Sequence, residues 1–192
     1  MDKRFSETKY LVRKKVLHLF GGAFHVFDSS GQNVLFYSQM KAFKLKEDIR
    51  LFTGEDMNTE VLTIKARNIL DFSAAYDVFD SQKKEKVGVL KRKGFKSMFK
   101  DEWILMDAND REIGALKEDN LAMALLRRTV GIFPQSYHGE IHGNNVCQFK
   151  QNFNPFVMKI AVDFSDDARN QMDRRLGIAS AILLCAIEGK QE

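Results

Sequence analysis

The sequence predicts a β-rich α+β fold, a closed antiparallel β-barrel of about twelve strands around a buried hydrophobic C-terminal helix. Three observations lead there. The stretch Leu176–Ile187 reads LGIASAILLCAI, with one hydroxyl, no charge and apolar residues on every side. Such a helix must be buried, in protein or in lipid. Most of what precedes it reads as short strands between turn signals. One phrase recurs within those strands: an aromatic residue, any residue, two apolar residues, Asp, a polar turn, and an apolar returning strand. Its copies are Phe24–Asp28, Tyr76–Asp80 and Trp103–Asp107. They are repeats of a β-hairpin unit, and closing such strands into a barrel removes their edges.

Length decides what surrounds the helix. Twelve residues span roughly 18 Å, whereas a bilayer core needs roughly 30 Å. Arg174–Arg175 and Glu188–Gly189–Lys190 bar extension on either side. The helix therefore belongs in the lumen of its own barrel. Ser165–Asp166–Asp167 reads as its start, a Ser cap with two acids in the first turn.

The strands follow in order. Leu11–Val16 and Ala23–Phe27 flank Gly21–Gly22, and Asp28–Gly31 turns the chain into Asn33–Tyr37. Ala42–Leu45, Ile49–Thr53 and Glu60–Arg67 come next, then the hairpins returning through Val87–Leu90 and Glu112–Leu116. A second helix is expected over Leu121–Val130, capped by Asp119 or Asn120 and ended by Gly131. Ser136–His142, Val146–Gln151 and Val157–Val162 complete the strands.

Composition bounds function loosely. A chain of 192 residues with 44% hydrophobic residues, sixteen Phe and two Pro suits one packed domain spanning 1–192. The net charge of +4 permits an anionic partner without requiring one. Cys147 and Cys185 form no disulfide framework, and Cys185 reads as a small buried hydrophobe. The N-terminus lacks the apolar stretch of a signal peptide, so the expected location is the cytoplasm, with peripheral attachment to membrane.

The hairpin repeats resemble the LURP-one-related and phospholipid-scramblase proteins of the tubby C-terminal-like superfamily. So do Leu116–Asp119 leading into a helix that ends Leu125–Arg128, and Arg174–Arg175–Leu176 entering an apolar helix. The resemblance runs roughly from Tyr10 to Ile187 and implies a twelve-strand barrel around a central helix. It also implies phosphoinositide-headgroup binding through basic residues, as in tubby-type members, or lipid movement between leaflets, as in scramblases. The chain departs from animal scramblases in lacking their proline-rich N-terminal segment and cysteine cluster. Asp107–Glu112 begins like a calcium loop but has Glu at the sixth position, where Gly is needed, so a hairpin turn explains it better.

Candidate chemistry is sparse. No G-x-S-x-G, P-loop or dinucleotide glycine motif is present. On a strand, His138, Glu140 and His142 would share one face and offer metal ligands. The competing reading is a polar outer face, with Tyr137 and Ile141 pointing inward. The expectation is a protein that is not an enzyme and needs no cofactor or metal. For binding, Lys91–Arg92–Lys93, continued by Lys96 and Lys100 and joined by Arg127 and Arg128, would form a surface for anionic phospholipid heads. The plainer alternative is a charged strand edge. Aromatics are not interleaved with the basic residues, which argues against nucleic acid. The sequence points to no protein partner.

Overall fold

A computed structural model describes residues 2–15, 21–41, 48–67, 74–93, 102–119, 135–152 and 157–188. Twelve strands run in sequence: β1 (Lys9–Lys15), β2 (Gly21–Phe27), β3 (Val34–Lys41), β4 (Ile49–Phe52), β5 (Glu60–Ala66), β6 (Ala75–Asp80), β7 (Glu85–Arg92), β8 (Glu102–Met106), β9 (Glu112–Glu118), β10 (Ser136–Ile141), β11 (Asn144–Gln151) and β12 (Val157–Asp163). Each pairs antiparallel with its neighbours in sequence, and β12 returns to β1 to close the barrel. The helix α1 (Arg174–Glu188) follows β12. The expected closed barrel around a C-terminal helix is what forms. The expected Ala42–Leu45 strand and Leu121–Val130 helix lie outside the described residues.

The repeated Asp has one physical role. Asp80 Oδ1 accepts the N–H groups of Gln82 and Lys83, and Asp107 Oδ1 accepts those of Asn109 and Arg111. Asp28 accepts the Ser30 hydroxyl and the Asn33 side-chain amide, which pull its carboxyl down to about 2. A short acceptor side chain that folds onto its own turn is the reason for Asp at this position. Each turn then needs a residue at positive φ, supplied by Gly31, Lys84 and Asp110, and a β-bulge follows in each hairpin.

These hairpin turns gather at one end of the barrel, here the closed end. The chain also re-enters the lumen there through residues 164–173. At the other end, the open end, α1 finishes beside Lys14 of β1.

Alternation sends Val12, Phe24, Phe36, Leu51, Ile64, Val78, Leu90, Leu105 and Leu116 into the lumen, all essentially without solvent contact. The helix is buried on every side, with Ile178, Ala179, Ala181 and Ile182 at 0% exposure. Its Ser180 hydroxyl donates to the Leu176 carbonyl at 2.8 Å, so the one polar side chain in the apolar run is satisfied within the helix. Gly177 lets the ring of Phe164 approach: a Cβ there would lie 2.4 Å from Phe164 Cζ.

The helix start differs from expectation. It begins at Arg174, not near Ser165, and Asp173 is the cap, accepting the Arg175 N–H at 2.9 Å. Asp166 and Asp167 sit in the preceding turn. Asp167 is buried and accepts the N–H groups of Gln171 and Met172 and a bond from Arg174. Acids before an apolar run mark the approach to a helix as readily as its first turn.

Candidate functional site

The basic run at the end of β7 does not present one face. Leu90 points inward, so Lys91 points outward and is exposed. Arg92 returns to the inward side at the rim, opposite Trp103 in register. Lys93 points outward again and is paired with Glu102 at 3.1 Å. Strand alternation thus separates three consecutive cations. Arg127, Arg128, Lys96 and Lys100 lie outside the described residues.

The two barrel ends nevertheless differ in charge. Carboxylates crowd the closed end, among them Asp28, Glu55, Asp56, Asp107, Asp110, Glu112, Asp166 and Asp173, and they outnumber its cations. The described open end carries Lys14, Lys91, Arg92, Lys93 and Lys150 against Asp48, Glu102, Glu118 and Asp119. Lys14 is buried there and donates to the Cys185 carbonyl at 3.1 Å, placing a cation where the helix dipole is negative.

Sequence reading missed two charge clusters, one at the closed end and one along the outer wall between the end of β5 and the Asp110 turn. Arg175 is buried and bonds Asp80 at 2.6 Å, Glu85 at 2.8 Å and Asp173 at 2.7 Å. Burial alone would raise the Asp80 carboxyl, but the Lys83 N–H and Arg175 outweigh it and hold it low. On the outer wall, Arg67 grips Asp77 with two bonds and reaches Asp110 at 2.7 Å, and Lys86 bonds the same two carboxylates. The signal for the first cluster was present in Arg174–Arg175–Leu176: a cation entering a lumen must bring its counter-ions with it.

The His138 face does not assemble as the alternation suggested. β10 ends at Ile141, and His142 with Gly143 forms a two-residue hairpin loop, both at positive φ. His142 is therefore off the strand. His138 Nδ1 bonds Asp119, and Glu140 is taken by Lys117 at 2.6 Å, which holds the Glu140 carboxyl low. Tyr137 and Ile141 do point inward and are buried. Asp107–Glu112 is a hairpin turn in which Asp110 is already held by Arg67 and Lys86.

A narrow slot among the described residues lies between Gln135, Tyr137, Phe149, Gln151, Met158, Ile160 and Leu184, and it is too tight to admit a water. Both thiols are remote from solvent, and burial pushes Cys147 and Cys185 up to about 12.

A family model for LURP-one-related proteins matches residues 8–184, from just before β1 to the last turns of α1. The chain belongs to the LURP-one-related family. The match takes in all twelve strands and most of the helix that fills them, so the LURP-one-related unit is here the whole barrel. Searches of curated proteins and of solved structures return no match. Among the described residues, no helix is long and apolar enough to cross a membrane. The outer wall carries Lys65, Glu102, Lys117, His138 and Gln148, not the apolar band with which strands cross a bilayer.

Proposed function

We propose that this LURP-one-related barrel is a non-catalytic binding protein that sets its open end against anionic ligands, in particular phospholipid headgroups at a membrane surface. The observation that carries this reading is the charge polarity of the barrel, with carboxylates collected at the hairpin turns and cations at the opposite rim. A dipolar body in a negative surface potential turns its cationic end toward the surface, and each cation near the surface contributes about 1 kcal/mol. Lys91 adds its charge fully. Lys93 shares its charge with Glu102, and Arg92 is recessed beside Trp103. The three together contribute about 1–3 kcal/mol.

The test is cosedimentation of the purified chain with vesicles of phosphatidylserine and phosphatidylcholine, against phosphatidylcholine alone. Binding is expected only to the anionic vesicles. It should fall steeply as added salt shortens the Debye length from about 10 Å at 0.1 M to about 3 Å at 1 M. Replacing Lys91, Arg92 and Lys93 by Ser should weaken it roughly tenfold, since tenfold corresponds to about 1.4 kcal/mol. Equal binding to neutral vesicles, or an unchanged affinity in the triple variant, would refute the reading.

A further inference from the structure

The outer wall at the β12–β1–β2 seam sets two cations, Arg13 and Lys159, side by side without a carboxylate of the described residues between them. In β1, Tyr10 and Val12 face the lumen and are buried, so Arg13 faces outward. Register sets Lys159 of β12 directly opposite Arg13 on one side and His25 of β2 directly opposite on the other. Tyr37 of β3 stands next in the same row. Opposed residues on one face of a sheet lie within about 5.5 Å at Cβ, and like charges so placed are destabilising. Neither Arg13 nor Lys159 forms an ion pair with a carboxylate of the described residues.

The row is also left unsatisfied. Arg13 Nε is a buried donor with no hydrogen-bond partner among the described residues, and His25 Nδ1, donor or acceptor according to the tautomer, has none there either. The Arg13 guanidinium lies 5.0 Å from the Phe27 ring centroid, which holds it flat against the wall. His25 is 8% exposed, packed between Phe27 and Tyr37, and its Nε2 bonds Glu55 at 2.7 Å. Glu55 approaches from the β4–β5 turn with its side chain 69% exposed and holds the ring through Nε2. A desolvated guanidinium donor without an acceptor, on one of two opposed cations, is the arrangement that an oxyanion completes.

We propose that this row is an oxyanion site, in which a phosphate or carboxylate group seats on Arg13 between Lys159 and His25. The guanidinium supplies directed donors, and Lys159 supplies a mobile point charge. The bound group replaces the repulsion across the seam by attraction on both sides. The site lies on the outer wall and uses none of Lys91, Arg92 and Lys93, so it stands or falls independently of the membrane-docking reading.

Inorganic phosphate titrated into the full chain, at ionic strength held constant with chloride, should raise the melting temperature saturably. R13Q and K159Q should each weaken the apparent phosphate affinity by about tenfold or more, the loss expected for a charged hydrogen bond. Without phosphate, both variants should melt at or above the wild-type temperature, because removing one of two opposed cations relieves the seam. A merely structural Arg13 would give the reverse pattern, a lower melting temperature with the phosphate response intact, and that result overturns the proposal. So does a wild type that responds to phosphate no more than to chloride. The source of the group is separated by glycerol 3-phosphate and by phosphatidic acid vesicles. Arg13-dependent binding of the soluble ester alone assigns a free phosphate ligand, and Arg13-dependent binding of both assigns a lipid headgroup. Dependence of neither on Arg13 overturns the site. Vesicle binding that survives R13Q but is lost in the Lys91/Arg92/Lys93 variant belongs to the open end instead.

Discussion

Arg175→Met removes the cation that enters the lumen with the helix while keeping most of its apolar stem. The cost follows from the burial of its three partners. Glu85 and Asp173 have side chains 46% and 33% exposed, so water replaces Arg175 there at little expense, about 0–1 kcal/mol each. Asp80 differs, because its side chain is 5% exposed and it faces the guanidinium at 2.6 Å. Breaking a buried pair on one side costs about 3–5 kcal/mol, because the remaining charge is left uncompensated. Asp80 keeps the Gln82 and Lys83 N–H bonds, which places the loss at the lower end, about 3 kcal/mol. For a chain of this length that is a fall in melting temperature of about 6–12 °C. Adding Asp80→Asn should recover part of the loss, since the neutral amide no longer needs a counter-ion. Thermal and urea denaturation of both variants measure this. A loss under about 1 kcal/mol in R175M, or a double variant no more stable than the single, would refute the argument that Asp80 is the buried partner.

Two further outcomes follow from packing and charge. Gly177→Ala should destabilise by about 1–3 kcal/mol despite the higher helix propensity of Ala, because its methyl would meet the buried Phe164 ring at 2.4 Å; G177A combined with F164L should restore stability in the same melts. Lowering pH should destabilise the fold through Asp80 and Asp167, each raised by burial but held below 3.8 overall, Asp80 by the Lys83 N–H and Arg175, Asp167 by the Met172 N–H and Arg174. Because their folded values lie below the unfolded one, their stabilisation is present above 3.8 and is lost as pH falls through the folded range; melting temperatures should be level near neutrality and drop in acid, and a rise in acid would contradict the assignment.

Local rules carried most of the fold. Phe24–Asp28, Tyr76–Asp80 and Trp103–Asp107 were legible because alternation and an Asp that closes its own turn act within a few residues. The lumen helix was legible because uniform burial leaves a uniform sequence. The helix start was misplaced because Asp167 closes a turn with the same chemistry by which Asp173 caps a helix. The shared face of His138 and His142 failed at a two-residue loop that begins one residue earlier than alternation implies. The candidate site was legible only as composition. Lys91–Arg92–Lys93 looks like a patch in a string of letters and is divided by the pleat. The row through Lys159, Arg13 and His25 depends on the register by which the last strand meets the first, and no local pattern encodes it.

That closure between β1 and β12 also governs how the chain reaches its folded state. The helix is the core of the barrel, yet it follows every strand whose inner face it covers. As the chain leaves the ribosome, hairpins can form two at a time from local contacts, but each waits with Val12, Phe36 or Leu105 unshielded until α1 emerges. The contacts that commit the structure are those of greatest separation along the chain, which makes the final step slow and cooperative. Until then the growing sheet has two open edges and a bare apolar face. Synthesis therefore produces, for most of its duration, a chain that depends on protection from its neighbours.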